Sequence, residues 1–194
     1  MKTLNLKPGA IFSMFFFSVM IAALTSCSPK DDTGNNTTAP KMEAPEIDIH
    51  TAVLTGNQEA IRQHIAAGSN INEKDPFGGS SPLISAALFG KTEEARILID
   101  AGADINFQNN DGATALHVAS FFCRPEIVQL LLDKGADKNI KNKFGATPYE
   151  SVAGPFAESK NVYDMIGQAL APMGLKLDYA EIEKTRPVIA GMLK

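Results

Sequence analysis

The stretch SPLISAALFGKTEEARILIDAGADIN, residues 81–106, lies over TALHVASFFCRPEIVQLLLDKGADKN, residues 114–139, without a gap, so that Ser81 and Thr114 stand 33 residues apart. GATPYESVAG, residues 145–154, opens the unit again with Thr147 a further 33 residues on, and DIHTAVLTGNQEAIRQHIAAGSNIN, residues 48–72, is an earlier copy shifted by one residue. No other feature restricts the fold so strongly. A unit this short cannot bury its own apolar face, so its copies have to stack into a linear array held by contacts between neighbours.

Each unit reads as two helices and a loop. Ser81-Pro82 and Thr147-Pro148 place a hydroxyl N-cap before a proline at the first helical position, where the missing N–H costs nothing. Ala86, Ala87 and Ala119 are small where helix one meets its neighbour, while ARILI (95–99) and IVQLLL (127–132) form the apolar stripe of helix two. Gly68, Gly102 and Gly135 follow helix two, where a left-handed residue ends a helix at least cost. A hairpin-like finger comes next, as in DINFQNNDG, residues 104–112.

The period and the core TALHVA (114–119) resemble the ankyrin repeat and its T-P-L-H-x-A motif over roughly residues 46–170. The resemblance implies an all-α solenoid of about four helix-turn-helix repeats, 46–75, 76–108, 109–141 and 142–170, with hairpin-like loops between them. The first repeat begins at Glu46 without a finger. The fourth runs true to Ala153, then drifts at Pro155, with VYDMIGQAL (162–170) in the place of helix two. Residues 171–194 are expected to form a C-terminal helical cap, with Asp178 and Glu181 as a capping box and a second short helix around Pro187. A detached binding tail is the alternative for this segment.

Ahead of the repeats, Lys2 and Lys7 precede an apolar run from Ala10 to Leu24 that is short for a membrane span and suits a signal peptide over residues 1–26. LTSC, residues 24–27, resembles the lipobox of bacterial lipoproteins, which implies that Cys27 is acylated and becomes the mature N-terminus. Ser28, in place of an aspartate that would retain a lipoprotein in the inner membrane, favours the outer membrane. KDD at 30–32 resembles the short charged export signal of some Bacteroidetes lipoproteins. Residues 27–45 are rich in Pro, Thr, Asn and Asp and are expected to be a disordered tether. Loss of the leader removes two lysines and no acids, taking the formal charge from −4 to −6, and an acidic domain is poorly suited to nucleic acid.

Little in the chain points to catalysis. His117 occupies the histidine position of the motif, where the resemblance implies a hydrogen bond to the loop of the next repeat, and His50 aligns with it. His64 lies within helix two of the first repeat and is expected on the surface or in the groove. No pair of histidines stands at metal-ligand spacing beside an acid, so neither a metal nor another cofactor is expected. Cys123 has no second thiol for an internal disulfide once Cys27 is lipidated, and no activating base is indicated. Asp111-Gly112 reads as a turn.

The resemblance further implies that finger tips and the open face of helix one form a concave protein-binding surface. Its contact positions fall on Phe77, Leu88, Phe89, Asn110, Asp111, Phe121, Phe122, Lys143 and Phe144, with Gly78, Ser80, Ala113 and Ala146 in the fingers and Leu54 and Thr55 in the first repeat. Five of the seven phenylalanines beyond the leader are in that set, and aromatic rings are enriched as interface anchors. The expected function is a non-catalytic, monomeric protein-binding module on a lipid anchor in the bacterial envelope. Alternatives are an immunity-like or stabilising partner of an envelope enzyme and, last, a Cys/His-dependent enzyme.

Overall fold

A computed structural model describes residues 43–194. The leader and Cys27 lie outside the described residues, as does all but the end of the tether. Among the described residues every regular element is helical: α1 (Ile49–Thr55), α2 (Gln58–Ala66), α3 (Pro82–Phe89), α4 (Thr92–Asp100), α5 (Ala115–Phe121), α6 (Pro125–Asp133), α7 (Glu150–Ala153), α8 (Phe156–Leu170) and α9 (Tyr179–Met192), with a 3-10 turn at Ala171–Met173.

The helices begin and end where local chemistry asks. Ser81 accepts from the Ile84 N–H and Thr114 from the His117 N–H, so each hydroxyl satisfies a donor that a helix start leaves free. Gly68, Gly102 and Gly135 have φ of 73°, 86° and 83°, closing α2, α4 and α6 in the left-handed region as the repeat pattern requires. Asp178 accepts from the Glu181 N–H, but Glu181 turns its carboxylate to Lys184 and Thr185, so only half of the expected capping box forms.

The first helices pack in one row, α1 on α3 and α3 on α5, and the second helices in another, α2 on α4 and α4 on α6. Ala52, Ala86, Ala87 and Ala119 are wholly buried in the first row, where small side chains allow close approach. Ile61, Leu98, Ile127, Val128 and Leu131 fill the space between the rows. Each such side chain contributes about 1.5–3 kcal/mol.

The fourth repeat departs from expectation. Helix α8 does not take the place of helix two; α9 does, packing on α6 and α7 as α6 packs on α4 and α5. Ile182 and Ile189 supply its buried apolar face, and the segment joining α7 to α9, with α8 in it, is an insertion. The boundary at 170/171 therefore falls inside the last repeat, and α9 both completes that repeat and seals the array. Pro187 lies within α9 and does not divide it; the ring is exposed and the helix runs on to Met192.

Candidate functional site

Three fingers, at 75–80, 109–113 and 142–146, are each built on one side chain that collects backbone donors. Asn109 Oδ1 accepts from the N–H of Asp111 and Ala113, and Asn142 Oδ1 from those of Phe144 and Ala146. Asp75 holds three, from Phe77, Gly78 and Ser80. The fingers are joined by the Asn110 N–H to the Gly78 carbonyl at 3.0 Å and the Lys143 N–H to the Asp111 carbonyl at 2.8 Å. Lower down, Asn72 Oδ1 accepts from the Asp104 N–H and Asn106 Oδ1 from the Asp137 N–H, both at 2.9 Å. Gly79 has a φ of 65°, which favours glycine, and a Cβ there would stand 2.4 Å from Asn110 Oδ1 and push that side chain of the next finger aside.

Beneath the fingers His117 ties two repeats together. Its Nε2–H donates to the Ala146 carbonyl at 3.0 Å, leaving Nδ1 to accept from the Thr114 N–H at 3.2 Å. That assignment makes the buried imidazole a neutral scaffold group. Burial pushes its pKa below the ordinary histidine value, against the upward pull of the carbonyls it faces. His50 makes the matching bond to the Glu73 carbonyl at 3.1 Å. Its N-cap, Asp48, stands two residues before it rather than three, so no N–H of a residue like Thr114 meets Nδ1, which is buried without a partner among the described residues.

The nine contact positions divide into three groups. Phe77 and Phe144 are exposed at the finger tips, at 70% and 48%, together with Asn110 and Lys143. Leu88, Phe89 and Asp111 are half-buried. Phe121 and Phe122 are not on an open surface. Phe122 is 5% exposed and belongs to the core, where it ends α5 and turns inward. Phe121 is covered by Tyr163 of α8, the rings stacked at 4.4 Å with 16° between planes. The Tyr163 hydroxyl donates to the Phe121 carbonyl and accepts from Arg186 Nη1 at 3.0 Å, while Arg186 Nη2 donates to the Gly154 carbonyl at 2.9 Å. Phe156 and Tyr179 extend the cluster, at 5.7 Å from Tyr163 and 6.1 Å from Phe156 respectively. Sequence periodicity missed Tyr163 and Arg186, since neither occupies a repeated position.

Two further positions correct or refine the reading. His64 is not on the surface: it is buried, donating from Nε2 to the Ile47 carbonyl at 2.8 Å and meeting Ser69 Oγ through Nδ1. Cys123 takes the turn position held by Gly56 and Gly90 in the earlier repeats and keeps their positive φ, at 52°. In those repeats a basic residue of the next turn lies over the glycine, Lys91 over Gly56 and Arg124 over Gly90. The aligned position in the fourth repeat is Ala157, which is not basic, and the Cys123 thiol points at the Ile182 carbonyl of α9 at 3.6 Å. Burial raises the Cys123 pKa to about 11, the opposite of what a nucleophile needs. Among the described residues no group of three or more His, Cys, Asp or Glu side chains is placed to hold a metal ion, and no helix is long and apolar enough to cross a membrane.

Comparison with known proteins agrees with this geometry. Residues 49–142 match the family described as ankyrin repeats (3 copies). The chain is similar to the human DNA-binding protein RFXANK, 33% identical over 86 residues that make up 44% of this chain and 33% of that protein. It is 41% identical to mouse protein phosphatase 1 regulatory subunit 12A over 71 residues, 37% of this chain and 7% of that one. Protein PhlB of Serratia liquefaciens is 35% identical over 71 residues, 37% and 31% of the two chains. The match thus spans a third or less of each of these relatives. The crystal structure of the ankyrin repeat domain of Bcl-3 superposes with a TM-score of 0.52 at 34% identity, covering 53% of this chain and 45% of that one. The fold is an ankyrin-repeat solenoid.

Proposed function

We propose that this solenoid is a non-catalytic protein-binding module, held in a bacterial cell envelope by a lipid on Cys27 and most suited to the outer membrane. The observation that carries the binding role is the finger row. Two exposed phenylalanines, Phe77 and Phe144, stand at the tips of a rigid, hydrogen-bonded scaffold, above the half-buried Leu88 and Phe89. Exposed rings on a stiff frame serve as anchors because little conformational entropy is lost when they are buried. Solenoids present such concave surfaces to partners. The chemistry beneath supports binding over catalysis, since the buried imidazole is committed to two hydrogen bonds and the buried thiol is held protonated.

The test is cross-linking from Phe77 and Phe144 positions in intact envelopes, with identification of what is captured. The double variant Phe77→Ser, Phe144→Ser is expected to keep its thermal midpoint, because exposed substitutions change stability by about 0.5 kcal/mol or less. It is also expected to lose the captured partner. Retention of every partner by the folded variant would remove the finger row as the binding surface. The anchor is tested separately: Cys27→Ala should abolish fatty-acid labelling.

A further inference from the structure

Helix α8 lies over Phe121 at the end of α5, while helix two of repeat four is supplied by α9. Repeats one to three join their two helices by two or three residues, whereas here the connection holds a fifteen-residue helix. Its far side is open to water at Glu158, Asn161, Met165 and Gln168, and its near side carries Phe156 and the fully buried Tyr163. The segment is therefore an amphipathic helix laid on the end of α5.

What it covers is a site with defined chemistry. The Phe121 ring offers a face to stack on, and the Phe122 ring stands edge-on to Tyr163 with ring centres 6.2 Å apart. The Phe121 carbonyl is one of the acceptors that a helix end leaves unpaired, and Tyr163 donates to it. Arg186 is buried and among the described residues has no carboxylate in ion-pair contact, so it requires the Tyr163 hydroxyl and the Gly154 carbonyl as acceptors. In repeat two the equivalent carbonyl, that of Leu88, is served from within the solenoid by Arg124 at 3.5 Å.

We propose that the end of α5 is a docking site for an amphipathic helix bearing a tyrosine on another protein, and that α8 is the built-in occupant that keeps it closed. The proposal rests on the protein-binding reading above and extends it to a second surface. The present occupant shows which ligand fits: a ring to stack on Phe121 whose hydroxyl donates to its carbonyl and accepts from Arg186. An incoming tyrosine restores all three contacts, so exchange leaves no buried cation without an acceptor. The segment is bounded by Gly154-Pro155 on one side and by Pro172 and Gly174 on the other, the last with φ of 89°.

The probe is a labelled peptide of residues 154–174 titrated onto the full chain. Wild type should bind it weakly, because α8 competes from within. Tyr163→Ala, which weakens the resident helix, should bind on the order of tenfold tighter, and adding Phe121→Ala should abolish that gain. Hydrogen exchange on the unaltered protein gives an answer even where Tyr163→Ala fails to fold: amides of 156–170 should exchange on the order of tenfold faster than those of 127–131. Equal protection of the two segments, or no gain in peptide affinity by folded Tyr163→Ala, overturns the proposal. A wild-type dimer that Tyr163→Ala abolishes overturns it too, by assigning the surface to a second copy of this chain. Loss of the finger row as a binding surface would show only with the Phe77 and Phe144 variant, so the two readings fail separately.

Discussion

At the scale of single residues, the scaffold is set by side chains that satisfy the backbone of their neighbours. His117 is neutral when folded, and burial is the larger influence on it. Its folded pKa is depressed, so its contribution is complete above the unfolded value of about 6.5 and is lost as the pH falls below it. The unfolding midpoint should therefore drop between about pH 7.5 and about pH 5.5, and His117→Gln should flatten that slope when melting curves are compared. Asp75 behaves differently. Burial pushes its carboxyl up, but hydrogen bonds from Gly78, Phe77 and Ser80 outweigh this and hold it below the usual range. Its stabilisation is present above about pH 4 and fades as the pH falls further. Asp75 collects three backbone donors where Asn109 and Asn142 of the later fingers collect two each. Asp75→Asn should cost about 1 kcal/mol in urea unfolding. For Cys123, a pKa of about 11 leaves on the order of one thiol in a thousand ionised at about pH 8. In a Cys27→Ala chain, a thiol reagent should react with it slowly in native buffer and at once in concentrated guanidinium.

At the scale of elements, α8 is held to the solenoid by Tyr163, the cation behind it and the buried Leu170, with Phe156 and Ile166 packed alongside. Tyr163→Phe keeps the stack on Phe121 and removes the hydroxyl that serves both the Phe121 carbonyl and Arg186. The cost should be about 1.5–3 kcal/mol, the range for hydrogen bonds to charged groups, read from the shift in urea midpoint. The N-cap of α3 and the glycines that close α2, α4 and α6 were legible in advance because each is decided by residues two to four positions apart. The placement of α8 was not, since beyond Pro155 two apolar segments compete for one slot and neither keeps the period. Helix α9 also reads as a poor candidate, because its buried face includes Thr185 and Arg186.

At the scale of the whole molecule, a solenoid needs its last apolar face sealed. Helix α9 and its C-cap residue do this with Ile182, Ile189 and Leu193, all nearly inaccessible to water, the helix laid against α6 and α7. A chain ending before Asp178 should expose the faces of α6 and α7 that α9 covers and lose several kcal/mol of burial, about 1.5–3 for each large side chain. Calorimetry should then show a lower and broader transition, with aggregation on heating. A tail that merely bound partners would leave the transition unchanged.

The amino-acid sequence by itself determined the repeat, its register, the glycines that end α2, α4 and α6, the histidine that bridges fingers and the finger-tip positions of Phe77 and Phe144. Every interior repeat meets the same neighbours, so a position's role can be read from its copies. Only the tertiary structure decided that α9 is the final helix two, that α8 lies over Phe121, that Phe122 and His64 are buried and that Cys123 fills a turn made for glycine. Beyond Pro155 the period is lost, and which segment fills the helix-two position is selected by packing between segments far apart in the chain, which no local period records.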